Sequence, residues 1–111
     1  SLGHKLGVPT INQAFPEGKI LPRLGVYCAR VTVDGKVYEG IANVGSKPTV
    51  QDETVYGVET HLFECNEDLY GRQAKTELLS FVRAEKKFAS VDELKVQLEQ
   101  DILFGKQFFG E

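Results

Sequence analysis

The chain has 111 residues, of which 26% are charged and 41% hydrophobic, with a formal net charge of -3 and a pI near 5.4. This length fits one domain with its own core, and no apolar run approaches the roughly 20 residues of a membrane span. The acidic balance, without a basic cluster, argues against a nucleic-acid partner, which would need many phosphate contacts.

The first informative stretch is a Gly-x-Pro-Thr-x-Asn run over residues 7–12. Gly7 supplies a flexible backbone position and Pro9 a fixed φ. If the segment is extended, Thr10 and Asn12 point to the same side, so two neutral oxygens can converge on one ligand. A turn before a strand is the alternative, and the spacing by itself leaves both interpretations open.

A β-hairpin is the next predicted element. Prolines and glycine over residues 13–24 predict a surface loop. Residues 25–33 and 36–43 are rich in β-branched and aromatic residues and read as two strands. Asp34-Gly35 between them is a strong signal for a two-residue turn.

Further strands follow a second cluster of backbone breakers. Residues 45–49 contain glycine and proline and predict an exposed loop. Residues 55–65 and 73–83 then read as a third and a fourth strand, separated by a turn near residues 66–68.

The last element is an amphipathic helix. Ser90 and Glu93 match a capping box, in which the Ser90 hydroxyl accepts from the Glu93 amide and Glu93 reaches back. Gly105 is expected to end the helix. Apolar residues recur at helical spacing at Val91, Leu94, Leu98 and Ile102. The order of elements is therefore four or more antiparallel strands followed by one helix.

Cys28 and Cys65 are the two cysteines, and neither belongs to a Cys-x-x-Cys or Cys/His ligand pattern. This usage predicts reduced, partly buried thiols in a cytoplasmic protein, rather than a disulfide or a metal site. No targeting segment is recognisable in the sequence.

Few residues along the chain could perform chemistry. Glu59 lies within the third predicted strand, where a carboxylate needs solvent or a partner. It is either a carboxylate on the wet face of the sheet, or a general base or metal ligand held on a rigid strand. His61 points to the same side, but a Glu-x-His pair lacks the further ligands that zinc requires. Thr10 and Asn12 suit Mg²⁺ that arrives with ATP, although neither common glycine-rich phosphate motif is present.

Six short motifs follow one another along nearly the whole chain. The motifs are Leu6-Gly7-Val8-Pro9-Thr10-Ile11-Asn12, Gly25-Val26-Tyr27, Asn43-Val44-Gly45-Ser46-Lys47-Pro48-Thr49, Val58-Glu59-Thr60-His61, Asp68-Leu69-Tyr70-Gly71 and Phe81-Val82-Arg83-x-Glu85-Lys86-x-Phe88. Together they resemble the successive signatures of riboflavin kinase, above all those of the C-terminal kinase module of bacterial bifunctional riboflavin kinase/FAD synthetase.

The resemblance implies a mainly β fold: a small, six-stranded, antiparallel Greek-key β-barrel with one C-terminal α-helix. It implies a riboflavin kinase domain over residues 1–111, from which the first strand of the family fold is expected to be missing. The implied reaction transfers the γ-phosphoryl group of ATP to the 5′-hydroxyl of riboflavin, giving FMN and ADP within FMN and FAD biosynthesis. Mg²⁺ would accompany ATP, and an FMN adenylyltransferase domain would be fused to this one in the full-length protein.

The resemblance also implies roles for individual residues. Glu59 would be the base that takes the proton of the ribityl hydroxyl. The implied ligand contacts are Mg²⁺ at Thr10 and Asn12, the nucleotide at Gly7, Thr10, Asn12, Leu62, Glu64 and Tyr70, and the flavin at Arg83, Lys86 and Phe88. Two alternatives from other classes are a split-barrel module that binds flavin or nucleotide without turnover, and a barrel that serves only in protein interaction.

Overall fold

The computed structural model describes residues 10–15, 18, 20–48, 51, 54–69 and 71–111. Within these ranges the chain forms five β-strands and one α-helix. In chain order they are β1 (Thr10–Ala14), β2 (Gly25–Val33), β3 (Lys36–Pro48), β4 (Thr54–Leu62), β5 (Ala74–Ala84) and α1 (Val91–Phe108). No helix in the described ranges is long and apolar enough to cross a membrane.

The strands form one antiparallel sheet in the order β1-β4-β3-β2-β5. Strands β2, β3 and β4 lie side by side in chain order, and β5 returns to pair with β2, which is a Greek-key arrangement. The described residues therefore contain five strands, and the implied count of six is wrong for them. The expectation about a strand ahead of Thr10 concerns residues 1–9, which lie outside the described ranges.

The two outer strands of the sheet approach each other through side chains. The Gln13 amide on β1 donates to the Ala74 carbonyl of β5 at 2.8 Å, and the Thr76 hydroxyl donates to the Gln13 side-chain oxygen. The sheet is therefore curled into a barrel-like shape, and the predicted fold class is confirmed. An edge strand exposes unpaired backbone groups, and this contact satisfies one of them on β5.

The alternation of side chains along the strands sorts the core into two faces. The inner face of the curled sheet carries two buried clusters, one of which contains Val31, Val33 and Leu62 and the other Ala42 and Val44. The outer face carries a third cluster that packs beneath α1, formed by Val26, Ile41, Phe63 and Leu98. The helix thus covers only part of the outer face.

The β2–β3 hairpin matches its prediction. Asp34 and Gly35 both have positive φ, 51° and 79°, as a type I′ turn requires. The second strand of the hairpin is longer than predicted, because β3 continues to Pro48 through the segment where the sequence predicts a loop. Its backbone pairs with β4 up to the contact of Pro48 with Thr54, and this pairing outweighs the local preference of glycine and proline for a loop.

Strand β4 ends at Leu62 rather than at Cys65. Glu64 has a φ of 51°, which lies in the left-handed region and cannot continue a strand. Phe63, two residues after His61, lies on the same outer face and belongs to the cluster beneath α1.

Helix α1 begins where the capping box predicts. The Ser90 hydroxyl accepts from the Glu93 N–H at 3.2 Å, and the Glu93 carboxylate accepts from the Ala89 N–H at 3.0 Å. The predicted end at Gly105 is wrong, because the helix continues to Phe108. Gly105 is buried there, and it allows the helix backbone to approach the sheet closely. The prediction that Val91 lies on the packed face is also wrong, since Val91 is 66% exposed.

Candidate active site

The register of three strands brings polar residues together on the outer face of the sheet. Thr10 and Asn12 of β1 lie directly opposite His61 and Glu59 of β4, and Asn43 of β3 lies opposite Glu59 on its other side. Directly opposed residues in antiparallel strands project from the same face, with Cβ atoms about 4.5–5.5 Å apart. The prediction that Thr10 and Asn12 share one side of an extended segment is confirmed.

Three of these residues form a chain of polar contacts. The Thr10 hydroxyl lies 3.1 Å from Nδ1 of His61, and Nε2 of the same ring lies 3.4 Å from Oε1 of Glu59. The His61 side chain is 8% exposed, whereas that of Glu59 is 33% exposed. The imidazole is therefore fixed inside the protein, while the carboxylate reaches its surface.

A first cavity, of about 120 Å³, lies between the outer face of the sheet and α1. Glu59 and His61 form part of its polar wall. The predicted flavin residues also line this cavity, which brings them together with Glu59. The lining on that side consists of Arg83, Lys86 and Phe88 with Leu94, Leu98 and Asp101 of the helix.

A second cavity, of about 420 Å³, lies along β1, β3 and β4. Its walls include Asn12, Gly45 and Tyr56. It shares three lining residues with the first cavity, namely Asn43, Glu59 and Glu85. Glu59 therefore lies where a cavity beside the helix adjoins a cavity beside β1.

A network of hydrogen bonds forms the helix side of the first cavity. The Arg83 guanidinium donates hydrogen bonds to both carboxylate oxygens of Asp101, with Nε 2.9 Å from Oδ1 and Nη2 2.7 Å from Oδ2. Gln97 donates to Asp101 at 2.9 Å and accepts from Lys86 at 3.1 Å. Because Asp101 is buried, this two-pronged pairing compensates the loss of its hydration and ties β5 to α1. Arg83 therefore has a structural role as well as a place in the cavity wall.

The remaining predicted nucleotide residues do not join this group. Leu62 is 1% exposed in the core of the inner face, on the opposite side of β4 from Glu59. Glu64 follows the end of β4 and is exposed. The predictions for Gly7 and Tyr70 fall outside the described residues.

Asn43, Glu85 and Asp101 are polar residues of the site to which the sequence assigns no role. Asn43 and Glu85 stand inside two of the family-like motifs, but nothing in a motif says that both share a cavity with Glu59. The alternation of β3 could have placed Asn43 on the face of Ile41. Asp101 carried a weaker signal, an acidic residue among the apolar positions of an amphipathic helix.

The donor set of the site suits a hard cation. Among the described residues, no group of three or more His, Cys, Asp or Glu side chains could hold a metal ion. The neutral oxygens of Thr10 and Asn12, beside the carboxylate of Glu59, are the ligand type that Mg²⁺ prefers, whereas zinc favours nitrogen and sulfur. The residues present therefore fit a Mg²⁺ ion whose charge is largely balanced by nucleotide phosphates.

A family model and similar individual proteins agree on the kind of protein that this chain resembles. The family model "Flavokinase: Riboflavin kinase" matches residues 1–109. A bifunctional riboflavin kinase/FMN adenylyltransferase of Escherichia coli is 40% identical over 98% of this chain and 34% of its own length. The protein of the same name from Bacillus subtilis is 37% identical over 89% of this chain and 32% of its own length. The chain thus spans about a third of the length of these relatives.

A solved structure has the same fold. It is described as a macrolide-efflux protein from Streptococcus pneumoniae, and it matches with a TM-score of 0.77 and 32% identity over 90% of this chain and 33% of that chain. The efflux description applies to that protein, whereas the family model covers nearly every residue of this one. The chain belongs to the riboflavin kinase family.

Proposed function

We propose that this chain is an ATP-dependent riboflavin kinase, which transfers the γ-phosphoryl group of ATP to the 5′-hydroxyl of riboflavin and releases FMN and ADP. The observation that carries the proposal is the position of Glu59, which lines both cavities. A base that activates an acceptor hydroxyl must lie between the acceptor and the phosphoryl donor. Riboflavin would occupy the cavity beside α1, and the nucleotide the cavity beside β1.

Glu59 is suited to accept the proton of the ribityl hydroxyl. Its side chain is partly exposed, so a substrate can reach it, and its position on β4 between two paired strands fixes its direction. As the hydroxyl oxygen bonds to the γ-phosphorus, its proton passes to the Glu59 carboxylate and the bond from phosphorus to the ADP oxygen breaks. Such a positioned base contributes on the order of 10²–10⁴ in rate.

Thr10 and Asn12 are the residues that would hold Mg²⁺ with the nucleotide phosphates. When bound, the cation neutralises charge on the transferring phosphoryl group. Because both side-chain oxygens are neutral, they orient the metal without competing with the phosphates for charge. The phosphates would supply the negative charge that the cation needs, so the carboxylate of Glu59, opposite Asn12 in the register, would not have to act as a metal ligand.

The flavin cavity must enlarge when riboflavin binds. Its volume of about 120 Å³ is below the roughly 300–1,000 Å³ of usual ligand pockets. Residues 85–90 form neither helix nor strand and include Lys86 and Phe88 of the cavity wall. We expect this segment to move outward while Arg83 stays in place, because Arg83 is anchored to Asp101. Phe88 and Leu94 would then supply apolar surface for the ring system.

The relatives' names support a place for this chain within a larger protein. We infer that the full-length protein joins it to an FMN adenylyltransferase module, so that FMN made here is converted to FAD, in the cytoplasm. Its partners would then be riboflavin, ATP and their products, with Mg²⁺ as the accompanying cation.

A direct assay tests the proposed function. The chain is incubated with riboflavin, ATP and Mg²⁺, and FMN and ADP are measured by chromatography. Equal amounts of FMN and ADP, dependent on the protein and the cation, are the expected result. Riboflavin binding without FMN formation would instead identify a non-catalytic flavin module. The absence of both riboflavin binding and FMN formation would contradict the proposal.

A further inference from the structure

His61 connects the two polar groups that the proposed function uses. Its Nδ1 atom is 3.1 Å from the Thr10 hydroxyl and its Nε2 atom is 3.4 Å from the Glu59 carboxylate. The side chain is 8% exposed, and its place on β4 between β1 and β3 leaves the ring little freedom to turn. The imidazole therefore lies between the residue expected at the cation and the residue expected at the acceptor hydroxyl.

The chemistry of imidazole decides the direction of both contacts. A neutral ring carries one N–H, and the other nitrogen is an acceptor. If Nε2 carries the proton, it donates to the Glu59 carboxylate, and Nδ1 accepts from the Thr10 hydroxyl. With the proton on Nδ1, a lone pair on Nε2 would face a carboxylate, which is unfavourable. The arrangement of neighbours therefore selects the Nε2–H tautomer.

This tautomer fixes the hydrogen-bonding roles of Thr10 and Glu59. The Thr10 proton points toward His61, so toward any other group the Thr10 oxygen acts as an acceptor. The ring nitrogen Nε2 holds one carboxylate oxygen of Glu59. The same contact thereby sets the direction of the other oxygen. The separation of 3.4 Å is long for a hydrogen bond, and such contacts commonly shorten when substrate binds.

We propose that His61 is a positioning residue for phosphoryl transfer, acting through both Thr10 and Glu59. It turns the Thr10 oxygen toward the Mg-nucleotide and fixes the Glu59 carboxylate for proton transfer. The inference rests on the proposed function, because it assigns His61 to the same site. In this role His61 need not touch substrate or exchange a proton with it.

Two substitutions separate the two contacts. His61→Asn can keep an acceptor near the Nδ1 position but is too short to reach Glu59, so it should lower kcat about 10–100-fold and leave Mg-ADP affinity within about threefold. His61→Gln can keep a donor near the Nε2 position but loses the acceptor for Thr10, so it should weaken Mg-ADP binding about 10–100-fold with a smaller change in kcat. Steady-state kinetics and calorimetric titration measure both quantities.

A control on the same strand shows whether any change in β4 has these effects. Thr60 points to the inner face and is fully buried, and its hydroxyl has no hydrogen-bond partner among the described residues. Thr60→Val therefore removes a polar group from β4 without touching the site, and it should leave kcat and Mg-ADP affinity unchanged. His61→Phe removes both contacts and should impair both quantities.

The tautomer can be read without any variant of His61. In protein with ¹⁵N-labelled histidine, the ring nitrogen shifts should show the proton on Nε2, and His4→Gln identifies the signals, since the chain has two histidines. A proton on Nδ1 would overturn the inference, as would a His61→Phe variant with wild-type kcat and Mg-ADP affinity. If the wild-type chain made no FMN at all, the proposed function itself would fail, which is a different result.

Discussion

Glu59 differs from the buried carboxylate of Asp101 in what surrounds it. Asn12 and Asn43 flank it on the neighbouring strands, and His61 contacts one of its oxygens. Both flanking side chains are uncharged amides, and the Glu59 carboxylate lies where the two cavities adjoin, so a substrate hydroxyl could reach it. A structural carboxylate such as Asp101 is instead buried against a guanidinium. This contrast separates the candidate base from the acid that anchors α1.

The first prediction concerns the basicity of this carboxylate. Glu59→Gln preserves the shape of the side chain but removes its ability to accept the proton. We expect kcat to fall by about 10²–10⁴ while Mg-ADP affinity stays nearly unchanged. Steady-state FMN production and calorimetric titration with Mg-ADP measure the two effects. Glu77→Gln, on the exposed face of β5, is the matched control, and near-normal turnover in Glu59→Gln would remove Glu59 from the mechanism.

The second prediction concerns the cation. Thr10→Ala removes a hydroxyl oxygen from the proposed Mg-nucleotide site, and Thr10 itself does not line the flavin cavity. Mg-ADP affinity should fall at least about tenfold, and riboflavin affinity should change much less. Separate calorimetric titrations with each ligand compare the two. Thr32→Ala on β2, which lines neither cavity, serves as the control, and an unchanged Mg-ADP affinity in Thr10→Ala would argue against this site.

At the scale of elements, α1 depends on a close approach to the sheet at Gly105. A Cβ atom there would lie 2.7 Å from Ile41 Cγ2 and 2.8 Å from Phe63 Cζ. Both neighbours belong to the buried cluster beneath the helix, so neither can move easily. Glycine is thus retained inside a helix, where it would otherwise be unfavourable by about 1 kcal/mol relative to alanine.

The third prediction compares these two effects. Gly105→Ala gains about 1 kcal/mol of helix propensity but overpacks the cluster at a cost of typically 1–3 kcal/mol. We expect a net loss of about 1 kcal/mol in the free energy of unfolding, measured by urea denaturation. Gln100→Ala on the exposed face of α1 tests propensity alone. A stabilised Gly105→Ala variant would show that the helix can shift away from the sheet.

A second pair of elements is joined by a charged cluster. Lys36 and Tyr38 at the start of β3 both donate to Oε1 of Glu67, at 2.7 and 3.1 Å. These hydrogen bonds, that of Lys36 first, hold the pKa of Glu67 below its ordinary value. The folded protein therefore binds a proton at Glu67 more weakly than the unfolded chain. The stabilisation is complete above the unfolded pKa and is lost as the pH falls through the folded pKa.

The fourth prediction follows from the lowered pKa of Glu67 in the folded protein. In Glu67→Gln, the free energy of unfolding should decline less steeply than in the wild type as the pH falls below about 4.5. Urea denaturation at a series of pH values measures the slope. Glu77→Gln, without this contact, should follow the wild-type curve. Parallel curves for Glu67→Gln and the wild type would show that the cluster does not survive in solution.

At the scale of the whole molecule, Gln13 holds the curled sheet together at its two outer strands. Its side chain bonds to the backbone of Ala74 and to the hydroxyl of Thr76, although these partners are 61 and 63 residues away in the sequence. The same strand carries Asn12 directly opposite the candidate base Glu59, and Thr10 opposite His61, which is two residues further along β4. The closure of the sheet and the nucleotide side of the site therefore depend on one short strand.

The fifth prediction tests that dependence. Gln13→Ala removes two hydrogen bonds, and at about 0.5–1.5 kcal/mol each it should destabilise the chain by roughly 1–3 kcal/mol. A double-mutant cycle with Thr76→Val, followed by urea denaturation, should show coupling between the two positions. Additive effects would indicate that the bridge between the strands contributes nothing. We also expect weaker Mg-ADP binding in Gln13→Ala, since β1 is less firmly held.

The sequence by itself determined the features that depend on neighbouring residues. Asp34-Gly35 supplies the positive φ angles of the hairpin, and Ser90 with Glu93 starts the helix, because each signal is satisfied within a few residues. The alternation of Thr10 and Asn12 in an extended segment also follows from local geometry. The order of the motifs indicated the family, because a series of weak signals in sequence is specific even when each one is not.

Only the tertiary structure decided which residues lie opposite each other on neighbouring strands and which distant segments are in contact. The register of β1, β4 and β3 placed His61 and Asn43 beside the candidate base, and residues far apart in sequence formed the bridge at Gln13 and the anchor between Arg83 and Asp101. Gly105 reads as a helix end from its own preferences, but its contact with Ile41 keeps it inside α1. Leu62 and Glu59 stand close in sequence yet on opposite faces of β4. Local signals set the conformation of each segment, whereas packing between distant segments set their partners.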